Sequence, residues 1–248
     1  MPAPRGPAGI ELEGISVAYG RRLAVTDVTG HFVPASLTAV IGPNGAGKSS
    51  LLKALAGMLP LRSGTIRSAA GAKGDIAYLP QQAEIERTFP VSVSELIALG
   101  AWRSFGAFRR PSDAVFERTA EAAASVGIES LLDRPVETLS AGELQRALFG
   151  RLLLQDASVI LLDEPFAAVD EPTTGDLLRV VSRWHEAGRT VIAVLHDLDQ
   201  VRAHFPTALL LARSCIGWGD TDSVITEENL ARARDALRDR VKARCSHE

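Results

Sequence analysis

Two cysteines, Cys215 and Cys245, are all that this chain of 248 residues contains. That is too few for a disulfide framework, and free thiols in a reducing compartment are expected. Long hydrophobic runs are lacking too. None approaches the ~18 residues that a membrane-spanning helix needs, and the longest, at 191–195 and 208–212, read as buried parallel strands. Charge of one sign is also missing. The 27 lysines and arginines against 30 aspartates and glutamates leave a net charge of −3, which implies no general attraction to nucleic acid. The Pro-rich opening, Met1-Pro2-Ala3-Pro4-Arg5-Gly6-Pro7, has no apolar core of the kind a secretory leader needs. Residues 1–9 are expected to form a disordered tail. No internal repeat is evident. Cys245 and His247 stand where a helix end frays, which makes a poor metal site. What remains is 46% hydrophobic and 23% charged, and long enough to bury one large core.

What the chain does have is Gly42-Pro43-Asn44-Gly45-Ala46-Gly47-Lys48-Ser49, which fits the pattern G-x-x-x-x-G-K-[ST]. An apolar run at 37–41 precedes it and a helix-like run at 50–56 follows, so the motif sits in the strand–loop–helix setting that it needs. The glycines let successive N–H groups turn toward one point, and the helix N-terminus adds its partial positive charge. This is a site for a nucleotide triphosphate, lined by residues 42–49 and Ser50. Lys48 can reach the β- and γ-phosphates, and the Ser49 hydroxyl can ligate Mg²⁺.

A second element is Val159-Ile160-Leu161-Leu162-Asp163-Glu164-Pro165, an apolar strand ending in two carboxylates. Alone, such a pair is also common in turns and helix caps. Beside a phosphate loop, the first carboxylate holds Mg²⁺ through water and the second is placed to polarise the attacking water. Asp163 and Glu164 fit those roles.

Leu139-Ser140-Ala141-Gly142-Glu143-Leu144-Gln145-Arg146 lies shortly before that strand. Here the chain resembles the ATP-binding subunits of ABC transporters, whose signature is L-S-G-G-Q. Four more matches occur: Tyr19 as the residue stacking on adenine, Gln81 in Tyr78-Leu79-Pro80-Gln81, Asp170 in the loop after the acidic strand, and His196 in Leu195-His196-Asp197. The resemblance covers residues 10 to about 226. It implies ATP with Mg²⁺ as cofactors, Gln81 contacting the metal or the water, and His196 bonding the γ-phosphate. Ser140, Ala141, Gly142 and Glu143 are implied to act in trans, on ATP bound by a second copy, with Asp170 in the dimer loop. Two positions depart from the signature. Ala141 adds a methyl group and Glu143 a negative charge close to the expected phosphates, which puts the rate of hydrolysis in question. Glu143 also has a local explanation, because Ser140-x-x-Glu143 is a capping box, and this is the favoured reading.

The expected fold is an α/β P-loop NTPase of the ABC type. It combines a mostly parallel sheet, an antiparallel β layer that includes 62–67 and 69–74, and an inserted helical subdomain at about 83–154. Strands are expected at 159–163, 190–195 and 207–212, and helices near 114–126, 175–187 and 198–203. The charged tail at 227–248 is expected to be mostly a solvated helix.

The string Pro80-Gln81 … Phe89-Pro90-Val91-Ser92-Val93 … Leu99-Gly100 resembles the ATP-binding subunits of zinc and manganese importers. So does Asp163-Glu164-Pro165-Phe166-Ala167-Ala168-Val169-Asp170 with Thr173. The implied protein energises metal uptake, with zinc favoured over manganese. It works as a homodimer under a membrane permease, at the cytoplasmic face of the membrane, with a periplasmic or surface metal-binding protein as indirect partner. A plainer account of the first string is that Phe89-Pro90 ends a loop and Ser92 or Ser94 caps a helix. Trp102, Phe105 and Phe108, with Arg103, Arg109 and Arg110, line a docking groove or join the core. Three alternatives stay open: an importer of iron-siderophore or another small nutrient, a soluble ATPase that remodels ribosomes or DNA, and a module that uses ATP only to dimerise.

Overall fold

The computed structural model describes residues 8–20, 22–68, 75–81, 90–102, 106 and 112–245, with side chains through Arg238. Strands β3 (Leu37–Ile41), β6 (Val159–Asp163) and β7 (Thr190–Val194) are buried at every position. A strand that is buried throughout has to be covered on both faces, as in a parallel sheet between two layers. These three join β5 (Ile76–Leu79), β8 (Thr207–Ala212) and β9 (Ser214–Asp220) in one sheet of order β5-β6-β7-β3-β8-β9. All its pairings are parallel except the last, β8 with β9. A second sheet, β2 (Arg22–Phe32), β1 (Ile10–Tyr19) and β4 (Leu61–Ser68), is antiparallel.

Helix α1 (Lys48–Leu55) carries Leu51 and Leu52 into one apolar core with Val17, Val25 and Phe32 of the small sheet and Leu209 of the large one. The other face of the large sheet carries α4 (Ala141–Gln155) and α5 (Glu171–Glu186), while α2 (Val93–Ala98) and α3 (Asp113–Ser125) pack against α4, and all four share a second core. There Phe149 of α4 stacks on Trp184 of α5, with ring centres 5.4 Å apart. Ser92 caps α2 through a full capping box with Glu95. Short helices α6 (Leu198–His204) and α7 (Thr221–Val224) follow, and α8 (Glu227–Cys245) closes the described chain. Among the described residues, no helix is long and apolar enough to cross a membrane.

Several expectations change. Ala8, assigned to the tail, is buried, and its carbonyl accepts a hydrogen bond from Thr190 Oγ1 at 2.7 Å, while residues 1–7 lie outside the described residues. The charged helix α8 is not simply solvated. Ala233 is buried, and Leu230, Ala236 and Leu237 pack on the core, an apolar stripe hidden by the arginine pattern around it. Strand β9 had no expectation, since Cys215-Ile216-Gly217-Trp218-Gly219 neither alternates nor avoids glycine, as edge strands need not. The expected turn-rich β segment 69–74 falls outside the described residues, as do 82–89, Arg103, Phe105, Phe108, Arg109 and Arg110. Trp102 is described and is an exposed aromatic.

Candidate functional site

In a parallel sheet, chemistry gathers where the strands end at their carboxyl side. Here those ends line an open cavity of about 730 Å³. The 42–50 loop follows β3, and Glu164 follows β6 directly. Gln81 stands two residues past β5, and His196 two past β7. Adjacency of β5, β6, β7 and β3 therefore brings together four segments far apart in sequence.

The loop is shaped by glycine where nothing else fits. Gly42 has φ 145°, and a Cβ there would lie 2.0 Å from the Leu211 carbonyl oxygen. Gly47, the N-cap of α1, has φ 95°, and its Cβ would lie 2.3 Å from the Ala24 carbonyl oxygen. Two neighbouring strands thus press the loop against α1. The first N–H groups of a helix have no acceptor within it, and at α1 the residues that carry them line the cavity. Lys48 Nζ donates to the carbonyls of Gly42 at 2.8 Å and Pro43 at 3.2 Å. Burial lowers its pKa from the usual lysine value, opposed by the charges of Glu164 and Asp163.

A hydrogen-bonded chain crosses the site. Ser49 Oγ donates to Asp163 Oδ1 at 3.0 Å. Gln81 Nε2 donates to Ser49 Oγ at 3.0 Å and to Glu164 Oε1 at 2.9 Å. His196 Nε2 meets the same Glu164 oxygen at 2.7 Å, as donor when it carries the proton. Asp163 is almost fully buried, and burial raises its carboxyl pKa against the bonds from Ser49, Tyr78 and Gln81. A buried carboxylate with a hydroxyl beside it is a hard-oxygen donor set, which suits Mg²⁺. Asp163 and Ser49 fit that ion, Gln81 turns its Nε2 rather than its amide oxygen toward them, and the loop with Lys48 fits a phosphate chain. Glu164 itself sits at φ 51°, in the left-handed region that non-glycine residues avoid. Such strain collects at functional sites.

The structure separates the other candidates from this cluster. Tyr19 is half-exposed on the cavity rim. Ser140, Ala141, Gly142 and Glu143 open α4 and line no part of the cavity. The capping box there is formed: Ser140 N–H donates to Glu143 Oε2 at 2.8 Å, and Glu143 N–H to Ser140 Oγ at 3.3 Å. Arg134 lies 3.7 Å from the other Glu143 oxygen. Asp170 caps α5 by accepting from the Thr173 N–H at 2.8 Å.

Three residues escaped sequence reading. Tyr78 donates its hydroxyl to Asp163 Oδ2 at 3.3 Å, across the β5–β6 pairing. Buried Gln145 of α4 donates to the Pro165 carbonyl at 2.6 Å, tying the start of α4 to the turn that carries Glu164. Arg213 lines the cavity from the β8–β9 turn. Only the spacing of Gln145 within the signature segment offered a hint.

Known proteins agree with this picture. Residues 25–167 match the ABC transporter family. Over 225 residues the chain is 33% identical to the manganese transport system ATP-binding protein MntB of Listeria monocytogenes, covering 89% of this chain and 94% of that one. Over 228 residues it is 36% identical to the zinc transport system ATP-binding protein TroB of Treponema pallidum, covering 90% and 86%. In three dimensions it superposes on a chain of a transporter described as of the metal-chelate ABC type, inward-facing, with TM-score 0.80 and 26% identity, covering 90% and 87%. A family match over more than half of the chain, joined by relatives above 30% identity over most of its length, means that the chain belongs to the ABC transporter family, as an ATPase cassette.

Proposed function

We propose that this chain hydrolyses ATP as a homodimer beneath a membrane permease, at the cytoplasmic face of the membrane, and so energises uptake of a divalent transition metal. The observation that carries the chemistry is the meeting of Gln81 and His196 on one oxygen of Glu164, beside the Ser49–Asp163 pair. Lys48 and the opening N–H groups of α1 hold the phosphate chain, with Tyr19 against the base. Ser49 and Asp163 would hold Mg²⁺, with Gln81 at the ion or its water, and the bound ion would offset phosphate charge. Gln81 and His196 hold Glu164 by Oε1, so Oε2 is the oxygen that takes the proton of the attacking water. Ser140 and the Gly142 N–H serve the nucleotide of the second copy. Asp170 and the segment after Glu164 lie at that dimer contact.

Relatives named for manganese and for zinc support a cargo from that pair. The sequence puts zinc first, and a periplasmic or surface metal-binding protein would deliver it. The test is elemental analysis of cells lacking this gene, grown at limiting metal, against cells restored with wild type or Glu164→Gln. A selective fall in zinc or manganese, restored by wild type alone, is the expected result. Unchanged metals would remove the metal cargo and return the search to iron-siderophore or another nutrient.

A further inference from the structure

Two neighbouring side chains of α4 grip the segment after Glu164 at both of its ends. Buried Gln145 donates to the Pro165 carbonyl, where the segment starts. Arg146, the next residue, reaches the far end. One nitrogen of its guanidinium donates to Thr173 Oγ1 at 3.3 Å and to Asp176 Oδ2 at 2.5 Å, and the other donates to the Val126 carbonyl at 2.9 Å.

Thr173 is the junction. Its N–H donates to Asp170 Oδ1 at 2.8 Å, and its side chain adds a second bond to Asp170. On its other side lies Gly142, where a Cβ would come 3.6 Å from Thr173 Oγ1 and 3.7 Å from the Thr173 methyl group. Thr173 therefore lies against both parts assigned to a second copy, the opening turn of α4 and the Asp170 loop.

The Val126 bond closes the end of α3 and is the structural share of what Arg146 does. The other two bonds add less to folding. Asp176 has a second cation in Arg179, and Asp170 caps α5 through the Thr173 N–H without any arginine. Partly exposed ion pairs contribute little to stability. What Arg146 adds is a bond from the first turns of α4 to Thr173, which makes the α4 N-terminus and the Asp170 loop one body. A surface ordered in advance loses less conformational freedom on association.

We propose that Arg146 is a positioning residue for the dimer: through Thr173 it fixes Asp170 relative to the Ser140–Gly142 turn, so that both meet the second copy in register. This rests on the reading of those residues as the part of the site that serves the other chain's nucleotide.

The experiment uses the Glu164→Gln chain, alone and with Thr173→Val, Arg146→Gln or both. Sedimentation at saturating ATP and Mg²⁺ gives the dimer dissociation constant. ATP binding to chains diluted below that constant gives the affinity of the single site, and melting without nucleotide gives stability. Thr173→Val keeps the size of the side chain and spares the Val126 and Asp176 bonds of Arg146. It is expected to weaken the dimer about tenfold, within the range of coupling between contacting residues, with ATP affinity and melting temperature unchanged. Arg146→Gln should weaken the dimer at least as much. It also gives up Val126 and is expected to melt lower, so stability is judged from Thr173→Val. Adding Thr173→Val to Arg146→Gln should weaken the dimer little further, since the same contact is already gone. An unchanged dimer in Thr173→Val would overturn the proposal. So would full additivity of the two substitutions, because Arg146 would then not act through Thr173. A weaker dimer with a matching fall in melting temperature in Thr173→Val would overturn it as well, leaving that contact a structural one. If the Glu164→Gln parent itself stays monomeric with ATP, the reading of a site shared between two copies fails, and the proposal falls with it.

Discussion

Glu164 gathers two hydrogen bonds on one oxygen and sits in a backbone conformation that costs energy. Such a position is held by its surroundings: the β6 strand on one side and the Gln145 bond to Pro165 on the other. Replacing the carboxylate by an amide keeps the shape and removes the base. Glu164→Gln should therefore bind ATP within about threefold of wild type and lose turnover by about 10²–10⁴-fold, the usual worth of a positioned general base. Phosphate release measured at saturating ATP tests this, and wild-type turnover would sink the assignment. The 42–50 loop was legible from its residues alone, because Gly42 and Gly47 have no substitute where Leu211 and Ala24 press against them. Tyr78 and Arg213 were not legible. No spacing rule announces a hydroxyl that meets a carboxylate across a strand pairing, or an arginine placed on the cavity by a one-residue turn.

Elements are joined here by a few polar ties. Helix α4 reaches the turn that carries Glu164 through buried Gln145, and reaches α5 through Arg146, which bonds the Val126 carbonyl, Thr173 and Asp176. Gln145→Leu fills the same space but strands the Pro165 carbonyl. It should lower stability by about 1–3 kcal/mol and reduce kcat more than it changes ATP affinity. Chemical denaturation beside steady-state kinetics would reveal the split, and a loss of stability with kcat untouched would deny the tie any part in placing Glu164. Three carboxylates at these joints are held below their ordinary pKa: Glu143 by the Ser140 N–H, Asp170 by Thr173 and Asp176 by Arg146. Since each is depressed on folding, each contributes stability above the ordinary carboxylate range of about 4, and that contribution is lost as pH falls through the depressed values. Thermal melts from pH 6 down to pH 3 should show a falling midpoint that Asp176→Asn flattens in part. An unchanged slope in that variant would remove Asp176 from the account. The capping box at Ser140 was legible in the sequence because it is local, four residues long and complete within itself.

At the scale of the molecule, the cavity holds every predicted catalytic residue but none of residues 140–143. Such a division of parts is what a head-to-tail pair requires, with each copy lending its α4 N-terminus to the other's nucleotide. The whole-molecule expectation is that Glu164→Gln with ATP and Mg²⁺ elutes as a dimer and returns to monomer when nucleotide is removed. Light scattering distinguishes the two masses, and a monomer at saturating ATP would count against the sandwich. Glu143 does not stand in its way through an unanswered charge, since one oxygen is committed to the Ser140 N–H and the other lies near Arg134.

The sequence by itself determined what local rules can carry. Buried strands declared themselves as apolar runs, the loop by its glycines, the helix start at Ser140 by its cap and another at Ser92 or Ser94, between which the structure chose Ser92. Family resemblance then ordered Tyr19, Gln81, Asp163, Glu164 and His196 along the chain. Only the tertiary structure decided how these meet. Strand order β5-β6-β7-β3-β8 is a long-range choice, and it sets Gln81 and His196 on either side of Glu164. The same packing buried Ala8 and one stripe of α8, which polar or proline-rich neighbours had disguised. It also brought Arg213, from a turn with no motif, into the lining of the cavity. Period and composition report what a residue's neighbours in sequence require of it. Which surfaces it finally touches depends on contacts that close only when the whole chain has folded.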